Sequence, residues 1–282
     1  MSGTEVYRRG VAATWSSIVR PGMTPSHRVR PLVQDGEFAK RDPFLFLMED
    51  WFGPHVFEDH PHRGIETVTY SIEGELEHRE RGRNGGVFGP GDAMWMTAGR
   101  GVIHNEAPVG AQNVHTLQLW LNLPAKDKMT APRFQILKGG ERPVRKVRGG
   151  EIRVFSGESG GVASATLNHV PVTMVEFRLG PNAEAVQDLP ASYNGFLYVL
   201  EGAGLFGAER TPAAASEIVW MEMPSGAGGS EFAVATEDKP LRALLWAGEP
   251  LHEPVVAYGP FVMNTQQQIR EVFADYRAGR LG

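Results

Sequence analysis

"VTYSIEGEL" (residues 68–76) returns later in the chain as "FLYVLEGAGL" (196–205), aligning Tyr70 with Tyr198, Glu73 with Glu201 and Gly74 with Gly202 at an offset of 128. Further on, "GDAMWM" (91–96) returns as "SEIVWM" (216–221), aligning Trp95 with Trp220 at an offset of 125. Recurrence at so steady a spacing implies two copies of one structural unit. The surrounding runs set its class. "IETVTYSIEG", "HTLQLWLNL", "EIRVFSG", "VTMVEFRL", "GFLYVLEG", "EIVWMEM", "EFAVATE" and "LRALLWAG" are short, rich in β-branched or aromatic residues, and bounded by Gly, Pro, Asn or Asp, the pattern of strands joined by tight turns. The 34 glycines and 20 prolines fall mainly between these runs, where the turns of a barrel or sandwich need them. Only "NTQQQIREVFADYRAGR" (264–280) has a helical pattern, with Ile269, Val272, Phe273 and Tyr276 on one side and Asn264 as the expected N-cap. The expectation is an all-β chain of two tandem β-barrels: the first over 1–125, a linker over 126–150, and the second, with a short C-terminal helix, over 151–282.

Composition narrows the chemistry. The 282 residues include no cysteine, which removes disulfides, thiolate metal sites, iron–sulfur clusters and a cysteine nucleophile, and leaves His, Asp and Glu as the strong ligands. A net charge of -5 gives no basic footprint for nucleic acid, and the local run "RPVRKVRGG" (142–150) reads as part of the linker. Residues 1–25 lack the apolar core of a signal peptide and no apolar run is long enough to span a membrane, so a cytoplasmic protein is expected.

The histidines are distributed unequally between the copies. "EDHPHRGIETVTY" (58–70) holds His60, His62 and Glu66, while "TAGRGVIHNEAP" (97–108) holds His104 and Glu106. Carried into the second copy, the positions of His60, His62, Glu66 and His104 become Asp188, Pro190, Asn194 and Gly229. If the fold required imidazoles, both copies would have them, so the histidines read as functional. Residues i and i+2 of a strand share a face with Cα atoms about 6.6 Å apart, so His60 with His62 and His104 with Glu106 can converge on one ion at about 2.1 Å. Three imidazoles and one carboxylate form an N/O site for a single metal. His27, His55, His169 and His252 read as ordinary surface or loop residues; His78 and His115 could line the cavity but read more simply as packing residues. "GAGLFG" (202–207) fits a dinucleotide-binding glycine pattern, yet "AERTPAAAS" after it opens no helix to meet a pyrophosphate, so nucleotide binding is excluded there.

"HPHRGIETVTYSIEGELEHRE", "GPGDAMWMTAGRGVIHNE", "LQLWLNLP", "AGEPLHEPV" and "YGPFVMNT" together resemble the pirin family of the cupin superfamily, over nearly the whole chain. The resemblance implies two cupin-type barrels (a bicupin) and one metal, usually iron, in the N-terminal barrel, on His60, His62, His104 and Glu106. It also implies an activity: some members resemble quercetin 2,3-dioxygenases, which open the central ring of a flavonol with O2 and release carbon monoxide. Other members act as transcriptional cofactors through protein contacts, so the alternative is an iron-binding, redox-responsive interaction module without turnover.

The general cupin pattern H-x-H-x(3)-E makes Glu66 a competing ligand. Four residues of straight strand carry the chain about 13 Å beyond His62, so Glu66 reaches the ion only if Gly64 bends the chain sharply. Glu106 needs no bend and is the expected ligand and base, with Glu66 orienting a histidine or Arg63 from behind. The ion is expected to be Fe(II), although such a donor set also accepts Cu, Mn, Co or Ni. The expected partners are a flavonol-like aromatic and O2, with a protein partner in the alternative reading and neither nucleic acid nor membrane in either.

Overall fold

The computed structural model describes residues 6–34, 36–82, 85–224 and 228–281. The chain resolves into two compact units, one made of Ile18–Glu141, Asn168–Val170 and Leu251–Gly282, the other of Met1–Ser17, Arg142–Leu167 and Pro171–Pro250. Both are built of strands, and the all-β reading holds. The contiguous boundaries expected at 1–125 and 151–282 do not, because each unit takes strands or a helix from the far end of the chain.

In the unit that holds the histidines, a seven-stranded sheet runs in the order Arg133–Leu137, Ala93–Thr97, Ile65–Glu73, Val114–Asn122, Phe44–Phe52, Arg28–Val33, Arg20–Pro21. A four-stranded sheet runs His60–His62, Val102–Pro108, Leu76–Glu80, Gly86–Phe88. Ile65, Met94, Met96 and Val114 of the first sheet and Leu76, Phe88 and Val102 of the second are buried in one shared core, the expected fate of apolar residues on one face of each strand.

Between His62 and Ile65 the chain leaves the smaller sheet for the larger one. The change of direction falls at Gly64, whose φ of 81° lies in the left-handed region and where a Cβ would meet the Val262 carbonyl oxygen at 1.9 Å, so only glycine fits. The buried amine of Lys128 fixes the bend: its Nζ donates to the Gly64 carbonyl at 2.9 Å, Asn122 Oδ1 at 2.7 Å and the Val262 carbonyl at 3.0 Å. Burial lowers its pKa to about 7.

Residues 251–282 complete this unit. A strand pair, Val256–Tyr258 with Phe261–Met263, precedes the helix Gln266–Arg277, and Ile269, Val272 and Leu281 bury against Ile103, Phe261 and Met263. The N-cap is Thr265, not Asn264: the Thr265 hydroxyl accepts from the Gln268 N–H while the Gln268 side chain accepts from the Thr265 N–H, a capping box. Asn264 instead donates through Nδ2 to the Pro254 carbonyl at 2.9 Å. The helix therefore belongs with the first barrel rather than the second.

In the other unit the strands run Tyr7–Arg8, Gly229–Ala235, Val172–Pro190, Leu241–Gly248, Asn194–Phe206, Glu217–Met221, Val11–Ser16, around a core that includes Val154, Phe177, Leu197, Phe206 and Leu245. The expected linker is corrected too. Its first part contributes the strand Arg133–Leu137 to the histidine unit, and most of "RPVRKVRGG" lies in the strand Val144–Ser156, paired with Val172–Pro190. "GAGLFG" lies in and just after the strand Asn194–Phe206, with Thr211–Ala214 returning antiparallel and no helix between them. Among the described residues no helix is long and apolar enough to cross a membrane.

The strand pairing also corrects the equivalence of the two copies. Asp188 and Pro190 lie on the outer face of their strand, while Gln187 and Leu189 are buried and pair with Phe232 and Ser230. The link from Leu189 to Asn194 is one residue longer than that from His62 to Glu66, which shifts the inward positions by one. By register and burial, the counterparts of His60, His62, His104 and Glu106 are Gln187, Leu189, Phe232 and Val234. An amide and three apolar side chains offer no metal site.

Lys128→Ala removes the donor from three buried carbonyl-type acceptors. With an unsatisfied buried group costing about 1–3 kcal/mol, the unfolding free energy should fall by about 3 kcal/mol or more, read from a shifted urea midpoint at constant slope.

Candidate metal centre

The strand Val102–Pro108 is central in the four-stranded sheet, and its register assembles the site. His104 lies opposite His60 on one neighbour and Glu80 on the other, while Glu106 lies opposite His78. Cross-strand neighbours share a face, so His60, His62, His104, Glu106, His78 and Glu80 are all drawn to one side of the sheet.

The ring centroids are 5.0 Å apart for His60 and His62, 4.4 Å for His60 and His104, and 5.1 Å for His62 and His104. One nitrogen from each lies within 4.8 Å of the others. His60 Nδ1 bonds the Glu58 carbonyl at 2.8 Å and His62 Nδ1 the Pro260 carbonyl at 3.3 Å. Because a carbonyl only accepts, each ring carries its proton on Nδ1 and keeps the Nε2 lone pair free. Burial, reinforced by His60, pushes the His62 pKa down to about 3, and burial with the other imidazoles takes His104 well below the ordinary value. His62 and His104 therefore present neutral, ligating nitrogens beside the Nε2 of His60.

His104 is 1 % exposed, yet neither of its ring nitrogens has a hydrogen-bond partner. Leaving both unpaired is costly, and an ion among the three rings would use one of them. The donor set fits a single metal.

Glu106 joins His104 and His78 in a second cluster within the same 4.8 Å limit. The Thr69 hydroxyl donates to its Oε2 at 2.9 Å, Gln118 Nε2 lies 3.5 Å from the Thr69 hydroxyl, and Trp120 Nε1 donates to Gln118 Oε1 at 3.2 Å. This chain starts at an indole and ends at a carboxylate, so Glu106 is held as an acceptor. His78 lies 3.7 Å from Glu106 and 3.5 Å from Glu80; burial opposes its charge, but the two carboxylates raise its pKa to about 9. Its role could have been read from "EHRE", where His78 and Glu80 repeat the His-x-Glu spacing of His104 and Glu106.

Glu66 stands elsewhere. The chain does bend at Gly64, but the bend carries Glu66 into the larger sheet opposite Thr97, whose hydroxyl donates to Glu66 Oε1 at 2.6 Å. Glu66 belongs to neither ligand cluster and orients neither a histidine ring nor Arg63, which pairs with Asp275 at 2.9 Å. Burial raises its pKa to about 7. Its counterpart Asn194 accepts from the Trp220 indole at 3.1 Å, so both copies use this position for a buried polar contact.

A cavity of about 650 Å3 opens beside His60 and His62, with Phe46, Met48, Phe57 and Trp120 in its wall. His115 is not part of it: it bonds Glu49 at 2.8 Å and stacks on Trp51. His55 and His252 occupy left-handed loop positions and His169 lies 3.6 Å from Asp127. His27, read from sequence as a surface or loop residue, does lie in a loop but is buried in the cavity wall.

Known proteins share this architecture. Two family models match, Pirin over residues 26–121 and Pirin C-terminal cupin domain over 174–282. A pirin-like protein of Solanum lycopersicum is 40% identical over 258 residues, covering 90% of this chain and 87% of that protein. The crystal structure of GK1651 from Geobacillus kaustophilus superposes with a TM-score of 0.86 at 48% identity, covering 89% of this chain and 100% of the other. That of a quercetin 2,3-dioxygenase from Acinetobacter baumannii gives 0.84 at 28% identity, covering 98% and 99%.

Apo protein titrated with a divalent metal should take up one equivalent, removed by substitutions at the histidine cluster and not by Asp188→Ala. Glu106→Gln should lower metal affinity steeply, whereas Glu66→Gln should retain the metal. Glu66 also carries a pH dependence of its own. With a folded pKa near 7 against an ordinary 4.5, Glu66 contributes stability that is fully present below about pH 4.5 and is lost as pH rises through 7. Urea midpoints at pH 5 and pH 8 should therefore show Glu66→Gln gaining on the wild type at the higher pH.

Proposed function

The chain belongs to the pirin family, and on that premise we propose that it is a metal-dependent dioxygenase that opens the central ring of a quercetin-type flavonol with O2 and releases carbon monoxide. The reading is carried by the meeting of three imidazoles and a held carboxylate beside a cavity walled by aromatic side chains. The likeness to a quercetin 2,3-dioxygenase over nearly all of both chains supports it.

His60, His62, His104 and Glu106 would hold the ion, with Fe(II) the first candidate and Cu, Mn, Co and Ni compatible with the same donors. When bound, the ion supplies Lewis acidity toward a substrate oxyanion and reactivity with O2. Phe46, Phe57 and Trp120 provide flat apolar surface for an aromatic ring and keep water from it. Glu106 receives the proton of the flavonol 3-hydroxyl, and the Thr69 hydroxyl at 2.9 Å holds the carboxylate in the orientation that receives it. His78, between Glu106 and Glu80, steadies the charge of both carboxylates.

Metal-loaded protein mixed with quercetin should consume O2 and release carbon monoxide in equal amounts, and the metal-free protein should do neither. If iron-, copper- and manganese-loaded samples all fail to exceed free metal, the chain is better read as a metal-bearing protein-interaction module.

A further inference from the structure

The cavity contains a second carboxylate that the chemistry above does not use. Phe46, Met48 and Asp50 alternate along the strand Phe44–Phe52 and all face the cavity, as the two-residue period of a strand requires. Glu49 points to the other face, where Arg30 and His115 each meet it at 2.8 Å. Among the described residues no lysine or arginine meets Asp50, whose ion-pair partner is His27. The one side-chain hydrogen bond of Asp50 among the described residues joins Oδ1 to His27 Nε2 at 3.0 Å. The Met23 N–H donates to His27 Nδ1 at 3.1 Å, so the ring proton sits on Nε2 and His27 donates to the carboxylate. Asp50 is thus an acceptor held by His27 in the cavity wall, and burial raises its pKa.

The remaining lining sharpens the chemistry. Glu58 and Asp59 add acidic groups, Asp59 with Arg81 at 3.5 Å, and among the described residues no lysine or arginine lines the cavity. An anionic carboxylate or phosphate ligand would meet like charge on this side, whereas a neutral compound rich in hydroxyls would meet acceptors. Phe57 lies 5.3 Å from the His27 ring and 6.4 Å from the His60 ring, centroid to centroid. One aromatic side chain therefore separates the Asp50–His27 pair from the histidine cluster, a gap that a fused ring system can cover.

We propose that Asp50, positioned by His27, accepts a hydrogen bond from a phenolic hydroxyl remote from the metal, and that this contact makes the site select polyhydroxylated aromatics over those whose only hydroxyl faces the ion. The inference deepens the flavonol reading and rests on it for the ligand class. A hydrogen bond to a charged acceptor is worth about tenfold or more in affinity, and Asp50→Asn keeps the shape and the bond from His27 while removing that charge.

The test is equilibrium binding under nitrogen to the full-length metal-loaded protein, followed by fluorescence, with quercetin and 3-hydroxyflavone as ligands. The wild type should bind quercetin at least about tenfold more tightly than 3-hydroxyflavone, and in Asp50→Asn that ratio should fall about tenfold. An unaltered ratio in the variant, equal affinities in the wild type, or no binding of either compound overturns the proposal. Admitting O2 to the same complexes tests the reaction separately: the expected ratio without O2 uptake rejects the dioxygenase and keeps the hydroxyl site, while uptake with an unaltered ratio does the reverse. Should Asp50→Asn lack the wild-type circular dichroism spectrum, quercetin methylated at every hydroxyl but the 3-hydroxyl decides on wild-type protein. About tenfold weaker binding supports the contact, and equal binding overturns it.

Discussion

A buried cation clamped on the turn between two sheets is the constraint from which the site follows. In the histidine unit, Lys128 grips the Gly64 carbonyl together with Asn122 and Val262, and so fixes the point at which the chain leaves one sheet for the other. His60 and His62 stay on the near side of that point, facing His104; Glu66 falls on the far side, opposite Thr97. The second unit clamps the equivalent connection with a different cation. Arg9, wholly buried, donates to the carbonyls of Pro190 at 2.7 Å and Tyr193 at 2.6 Å and to Ser230 Oγ at 2.8 Å. Burial lowers even its pKa, to about 10. Desolvating a charge is costly unless its hydrogen bonds are met, and backbone carbonyls at the two connections, with Asn122 and Ser230, meet them.

The two units illustrate alternative ways to fill the same interior. Where Leu189, Phe232 and Val234 stand, the interior joins the apolar core, and stability comes from burial. Where His62, His104 and Glu106 stand, both ring nitrogens of His104 are buried with unmet bonding capacity, a local cost that an ion would offset. A functional site of this kind is a place where core packing has been given up.

How much of this was legible in the sequence depends on range. The repeat, the strand runs and the i, i+2 histidine pairs are local patterns, and the structure keeps them. The exchange of chain ends was hidden because it depends on contacts across the whole length: nothing in "NTQQQIREVFADYRAGR" says which unit Ile269 and Val272 will cover. The pairing of Asp188 with His60 failed because one extra residue before Asn194 reverses which side chains point inward. His27 was misread for a related reason. Its partner Asp50 is 23 residues away, and a lone histidine beside arginines has no local pattern to mark it as buried.

The exchanged ends also impose an order in time. The unit made of Met1–Ser17, Arg142–Leu167 and Pro171–Pro250 has all its strands once residue 250 has emerged from the ribosome, whereas the histidine unit still lacks Leu251–Gly282. Until then Val262 is not there for Lys128, Pro260 cannot hold the His62 ring, and Ile103 has no helix to cover it. This order of completion runs against the usual vectorial sequence, in which the N-terminal domain folds first. The unit without the histidine cluster has its segments first, and His62 gains its Pro260 contact only once the strand pair Val256–Tyr258 and Phe261–Met263 has emerged, so an ion bound there would be taken up late.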